Sequence, residues 1–188
     1  GKKIIYNMGR LVPYKGYHHL IQAMALLPEE YILWVGGDGP LRAELEALVK
    51  ELGLEQRVEI LGYVSSAMKP VYFGACDLFC LSSTMKTEAY AIVQVEAMSL
   101  GRPIVATEIP ESGVSWVNAH GVSGLNVPIE DAPAMAKAIR EICENPDTWQ
   151  LYSRGARQRY YDVFTKVEMI NRLIEIYTDL LAQTDHRK

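Results

Sequence analysis

Apolar, β-prone runs alternate with amphipathic stretches along the whole chain. "KKIIYNMG" (2–9) reads as a strand, and Leu20, Ile21, Met24 and Leu27 then recur at helical spacing from about Tyr17. "YILWVG" (31–36) is a second strand, followed by "PLRAELEALVKELG" (40–53), a helix with proline at its start and glycine at its end. "RVEILGY" (57–63), "DLFCLSS" (77–83), "RPIVATE" (102–108) and "SGLNVPI" (123–129) give four more strands. Helices are predicted over 67–75 and from about Ala91 to Leu100, and further helices over 132–144, roughly 147–162 and 166–182.

Strands that are apolar throughout, rather than alternately polar, are buried on both faces. Their alternation with helices therefore implies an α/β fold: a doubly wound parallel sheet of about six strands, with helices on both faces. Such sheets bind ligands beyond the carboxyl ends of their strands, so the loops that follow strands are where chemistry is sought.

Composition narrows the picture only in places. Apolar residues make up 49% of the 188, enough for a substantial core in one domain spanning 1–188. A formal net charge of −4 argues against general affinity for nucleic acid or an anionic membrane. Cys76, Cys80 and Cys143 contain no CxxC and read as small buried residues of a reducing compartment. No apolar run is long enough to span a bilayer, which fits a cytoplasmic location. The opening "GKKIIYNMG" lacks an initiating Met, and a piece of a longer polypeptide is expected. The closing helix, over 164–188, is amphipathic enough to rest against a domain outside the chain.

Three loops carry candidate chemistry. In "GRLVPYKG" (9–16), Gly9 permits a turn while Arg10 and Lys15 set two cations around a helix start, which itself attracts anions. Two solvated loop cations are the alternative. "GGDGP" (36–40) supplies Gly37 and Gly39, where backbone can approach a ligand closely, although its spacing matches neither GxGxxG nor the phosphate loop and a tight turn explains it equally well. "EAYAIVQVEAM" (88–98) places two carboxylates, Glu88 and Glu96, eight positions apart in an apolar run. Eight helical residues cover roughly 12 Å, the reach from a sugar ring across a diphosphate to a ribose. Carboxylates accept hydrogen bonds from hydroxyls at both ends of such a ligand. Otherwise Glu88 is solvated and Glu96 pairs with a neighbouring helix.

Taken together, "GRLVPYKG", "VGGDGPLRAEL", "RVEILGYV", the E-x7-E stretch leading into "EAMSLGRPIVATE", "HGVSGLNV" and the closing pattern from Phe164 to Tyr177 carry a family likeness. The chain resembles the carboxyl-terminal, donor-binding half of GT-B retaining glycosyltransferases of family 4, the glycosyl transferases group 1. That resemblance implies a Rossmann-like half of a two-domain enzyme, transferring a hexose to a glycan or lipid-linked acceptor in cell-surface polysaccharide biosynthesis. The donor would be a UDP-, GDP- or ADP-sugar. Arg10 and Lys15 would hold its diphosphate, Glu88 the sugar hydroxyls and Glu96 the ribose. The backbone of Tyr90, Ala91, Ile92 and Val93 would line sugar and phosphate, and the loop Gly62, Tyr63 and Val64 would meet the base. Two departures stand out: Tyr90-Ala91 replaces the usual Phe-Gly, and Trp116 stands where Glu is common.

In the mechanism so implied, Arg10, Lys15 and the helix start near Ala91 stabilise the departing diphosphate without a metal or other cofactor. Glu88 positions the sugar, a role preferred here to covalent attack. No DxD or clustered ligand set is present, and adjacent His18 and His19 diverge by about 100° on a helix. Ser115 and Ser123 lie outside any GxSxG pattern and read as turn residues. A missing amino-terminal domain would supply the acceptor site, so this segment alone should bind donor and transfer little. Peripheral association of the full enzyme with the inner membrane face would depend on that absent half. A nucleotide-sugar epimerase of the same architecture and a non-catalytic nucleotide-binding module remain alternatives.

Overall fold

In a computed structural model of the chain, which describes residues 1–185, six parallel strands form a single sheet in the order β3-β2-β1-β4-β5-β6. These are β1 (Lys3–Met8), β2 (Tyr31–Gly36), β3 (Val58–Gly62), β4 (Leu78–Leu81), β5 (Ile104–Glu108) and β6 (Gly124–Pro128). The main helices are α1 (Tyr17–Ala25), α2 (Arg42–Glu51), α3 (Lys69–Ala75), α4 (Ile92–Ser99), α5 (Val114–Val117), α6 (Ala132–Glu144), α7 (Pro146–Arg159) and α8 (Lys166–Asp185).

Side chains alternate across each strand, and both sides are apolar. Ile5, Leu33, Val35, Leu78, Cys80 and Val105 point into one core with residues of α1, α2 and α6. Tyr6, Phe79, Leu81, Ile104 and Ala106 point into the other, against α3, α4 and α5. Two-sided burial is what the unbroken apolar strands require, and the doubly wound sheet expected from the sequence is found.

Differences from the sequence reading are local. Pro13–Lys15 forms a single 3-10 turn and α5 has only four residues, both too short to show a period. The helix expected over 147–162 ends at Arg159 and passes into a π turn, Tyr160–Phe164. Along α8 most described side chains are exposed, Ile170, Leu173, Ile174 and Tyr177 among them. Positions 186–188 of the terminal segment lie outside the described residues. Among the described residues no helix is long and apolar enough to cross a membrane.

Candidate functional site

The strand order reverses between β1 and β4, which are neighbours although three crossovers separate them in sequence. Helices leave for opposite faces at that point, opening a crevice between the loops that follow the two strands. Both loops are the ones singled out by composition.

They are joined along their length. Thr84 N–H donates to Tyr14 O at 2.8 Å, and Ser82 Oγ donates to Lys15 O at 2.9 Å. Gly16 sits between them at φ +62°, where an added Cβ would lie 2.1 Å from Ser82 O. Only glycine fits so close a crossing. From below, the buried Asn7 Nδ2 donates to Ser82 Oγ at 3.3 Å, and Thr107 Oγ1 donates to Ser83 O.

At the centre the Lys15 ammonium donates to Glu88 Oε2. Ser83 Oγ donates to the same oxygen at 2.8 Å, and Ser112 Oγ to the Glu88 carbonyl at 2.5 Å. The two charged side chains are only 11% and 10% exposed, so the pair is held out of water rather than on a solvated face. Lys15 also lies 5.6 Å from the Tyr14 ring centre, and a Cβ on Gly9 would stand 3.3 Å from its Nζ. Arg10, one residue after Gly9, is exposed, and among the described residues no ion pair holds it.

Beside this pair α4 begins. Its N-cap is Ala91, at φ +53° and ψ +69°, and no side chain caps the helix. The first amides of α4 are thus left to meet a ligand or water, at the end of the helix that favours negative charge. Left-handed backbone is costly for a residue with a Cβ, so the departure from glycine at this position carries strain. Tyr90 is directed to an aromatic group: its ring centre is 6.2 Å from Trp116 and 6.3 Å from Phe164. Arg159 stacks 5.3 Å from Trp116 and donates to Val117 O at 2.9 Å. Trp116, the second departure from the family pattern, thereby becomes the centre of a cation–aromatic cluster.

Glu96 lies one turn along α4, away from Glu88. Lys69 Nζ, at the start of α3, donates to its Oε1 at 3.0 Å and Oε2 at 3.4 Å. The alternative in which Glu96 pairs with a neighbouring helix therefore describes the observed contact, whereas Glu88 is not solvated. The two acids occupy separate positions along one edge.

Gly37 and Gly39 serve a backbone crossing. Cβ atoms there would meet Gly9 O at 1.9 Å and Leu11 O at 2.5 Å. Gly9 N–H donates to Gly36 O at 2.9 Å and Gly37 N–H to Gly62 O at 2.7 Å, so the loops after β1, β2 and β3 form one ledge. Tyr63 on that ledge is 82% exposed, whereas Val64 is buried. Ile92 is exposed and Val93 half-buried at the α4 start. Ser83 and Lys69, partners of the two glutamates, were not foreseen. "LSS" at the end of β4 was the visible hint for the first, and nothing local marked the second.

Tyr17, fully enclosed beside Gly9, has a hydroxyl without a hydrogen-bond partner. Burial, with the Glu88 charge nearby, pushes its pKa well above the ordinary phenol value.

A crevice at the switch point of a Rossmann-like sheet, with a buried lysine–glutamate pair beside an uncapped helix start, is what this geometry defines. Residues 1–159 match the family model for glycosyl transferases group 1, and the chain belongs to that family. It is 32% identical over 183 residues to O-antigen chain mannosyltransferase C of Escherichia coli, covering 96% of this chain and 48% of that protein. It is 37% identical over 153 residues to the lipopolysaccharide core biosynthesis glycosyltransferase LpsE of Rhizobium meliloti, covering 81% and 43%. The crystal structure of Anabaena HepE in complex with UDP superposes with a TM-score of 0.87 at 28% identity, over 95% of this chain and 49% of that one. The chain thus spans about half the length of the relatives it matches.

Proposed function

We propose that this chain is the donor-binding part of a retaining glycosyltransferase that moves a hexose from a nucleoside diphosphate sugar to a glycan or lipid-linked acceptor in surface polysaccharide assembly. One observation carries the reading: Lys15 and Glu88 meet at the switch point beside the uncapped start of α4. The lysine and the helix start suit a diphosphate, and the acid suits sugar hydroxyls. The similarity to HepE, whose structure holds UDP, supports a nucleotide donor, and the transferase names of the relatives favour transfer over epimerisation.

Lys15 and Glu88 neutralise each other across the crevice. As a diphosphate arrives, Lys15 turns its charge toward the phosphate oxygens, and Arg10, free in the open loop, adds a second cation. Glu88, still held by Ser83 Oγ, then accepts from a hydroxyl of the sugar. Bond cleavage concentrates negative charge on the leaving phosphate, where Lys15 and the first amides of α4 lower the barrier without a divalent ion. Glu96 accepts the ribose hydroxyls, and Gly62, Tyr63 and Val64 meet the base. Acceptor contacts come from beyond this sheet edge, so the 188 residues alone bind donor and transfer little.

A thermal-shift panel of UDP-, GDP- and ADP-sugars, with and without EDTA, tests the reading. A ligand at one hundred times its Kd adds about 2.7 kcal/mol of stability. One nucleotide class is expected to raise the melting temperature, insensitive to EDTA, and to lose its effect in Lys15→Ala and have it reduced in Glu96→Ala. A shift that survives both substitutions would falsify the site.

A further inference from the structure

We propose that Lys69 is a positioning residue for the ribose, acting by clamping the Glu96 carboxylate; this rests on the ribose role given to Glu96 above. Lys69 and Glu96 line a cleft of about 330 Å³ between α3 and α4, with Phe73 and Leu100 beneath and Ser66 and Ser99 at its rim.

Lys69 is the first residue of α3, the end of a helix at which a cation is electrostatically disfavoured. Its side chain and that of Glu96 are 28% and 34% exposed, and ion pairs so open to water add little to stability. Stability therefore does not account for a lysine in an unfavourable place. Geometry does. The ammonium engages Oε1 at 3.0 Å and Oε2 at 3.4 Å, fixing a side chain that otherwise turns about several bonds. A carboxylate has about four acceptor positions, and the lysine takes one on each oxygen, which leaves two for a pair of adjacent hydroxyls. The cost of ordering Glu96 is met before the nucleotide arrives, which is how preorganised sites gain both affinity and selectivity. Glu88 likewise meets a lysine, Lys15, so each acid of the E-x7-E pair contacts a lysine from another loop or helix.

Discrimination between a ribonucleotide and its 2′-deoxy counterpart reads this role directly, and a merely structural role would not move it. Titration calorimetry with UDP, GDP and ADP and their 2′-deoxy forms, taking whichever base binds, should give a ribo/deoxy affinity ratio of about tenfold in the native protein. Glu96→Ala should erase the ratio. Lys69→Met should cut it to about threefold or less with little change in melting temperature, while Lys69→Arg keeps it. Lys69→Gln, which retains most of the stem, replaces the methionine variant if that does not fold. If Glu96→Ala erases the ratio but Lys69→Met and Lys69→Gln keep it whole, Lys69 has no such role and the ribose assignment stands. If Glu96→Ala keeps it, the ribose assignment itself fails, and this inference with it.

Discussion

Substituting Lys15 by alanine should separate what the Lys15–Glu88 pair does for the fold from what it does for the ligand. Both side chains are about nine-tenths buried, so removing the cation strands a carboxylate. Breaking a buried pair from one side typically costs about 3–5 kcal/mol. Glu88 keeps the Ser83 hydroxyl at 2.8 Å and some access to water, which places the expected loss at about 2–4 kcal/mol. For a chain of this size each kcal/mol moves the melting temperature by about 2–4 °C, so a fall of roughly 4–16 °C is expected. The double variant Lys15→Met, Glu88→Leu strands no charge, and apolar replacements of buried pairs are often neutral or stabilising. It should regain most of the lost stability in urea melts while binding no nucleotide sugar by calorimetry. Two results would refute the reasoning: a drop below about 2 °C for Lys15→Ala, or a double variant that still binds donor.

Gly37→Ala should be among the most damaging single changes, because its Cβ would stand 1.9 Å from Gly9 O at φ +137°; urea melts should show a loss above about 3 kcal/mol or no folding. Ala91→Gly should act in the opposite sense, since φ +53° suits glycine, and a gain of about 0.5–1 kcal/mol in chemical denaturation is expected. Burial pushes the Cys76 thiol up to about 12 and the Cys80 thiol higher still. The unfolded chain therefore releases these protons first, so stability is complete below about pH 9 and falls as pH rises by about 1.4 kcal/mol per unit for each thiol. Melts from pH 8 to 10 check the slope, and Cys76→Ala with Cys80→Ala should lower it, the remainder coming from the Cys143 thiol, which burial also pushes up to about 12.

How far the sequence reached depended on distance along the chain. Ile5 and Tyr6, or Cys80 and Phe79, announce two buried faces through composition alone, and that makes the parallel sheet legible. Glu88 and Glu96 stood out because their spacing is local. Their pairings did not, since Lys15, itself a candidate, and Glu88 are 73 positions apart and meet only because β1 and β4 are adjacent. Lys69 reaches Glu96 through the packing of α3 on α4, 27 positions away. The glycines of "GGDGP" were read as sites where backbone can come close to a ligand, whereas what approaches in the structure is the Gly9–Leu11 backbone. Turns of three or four residues, such as Pro13–Lys15 and Val114–Val117, are too short for any periodicity to register.

Hydrogen bonds running from Gly62 through Gly37 and from Gly36 to Gly9, then across Tyr14 and Thr84, lash four consecutive strand exits into one girder. A bound molecule would find this rim already shaped. Closure over a ligand would then fall to side chains and to parts other than these strand exits, with this edge acting as the anvil.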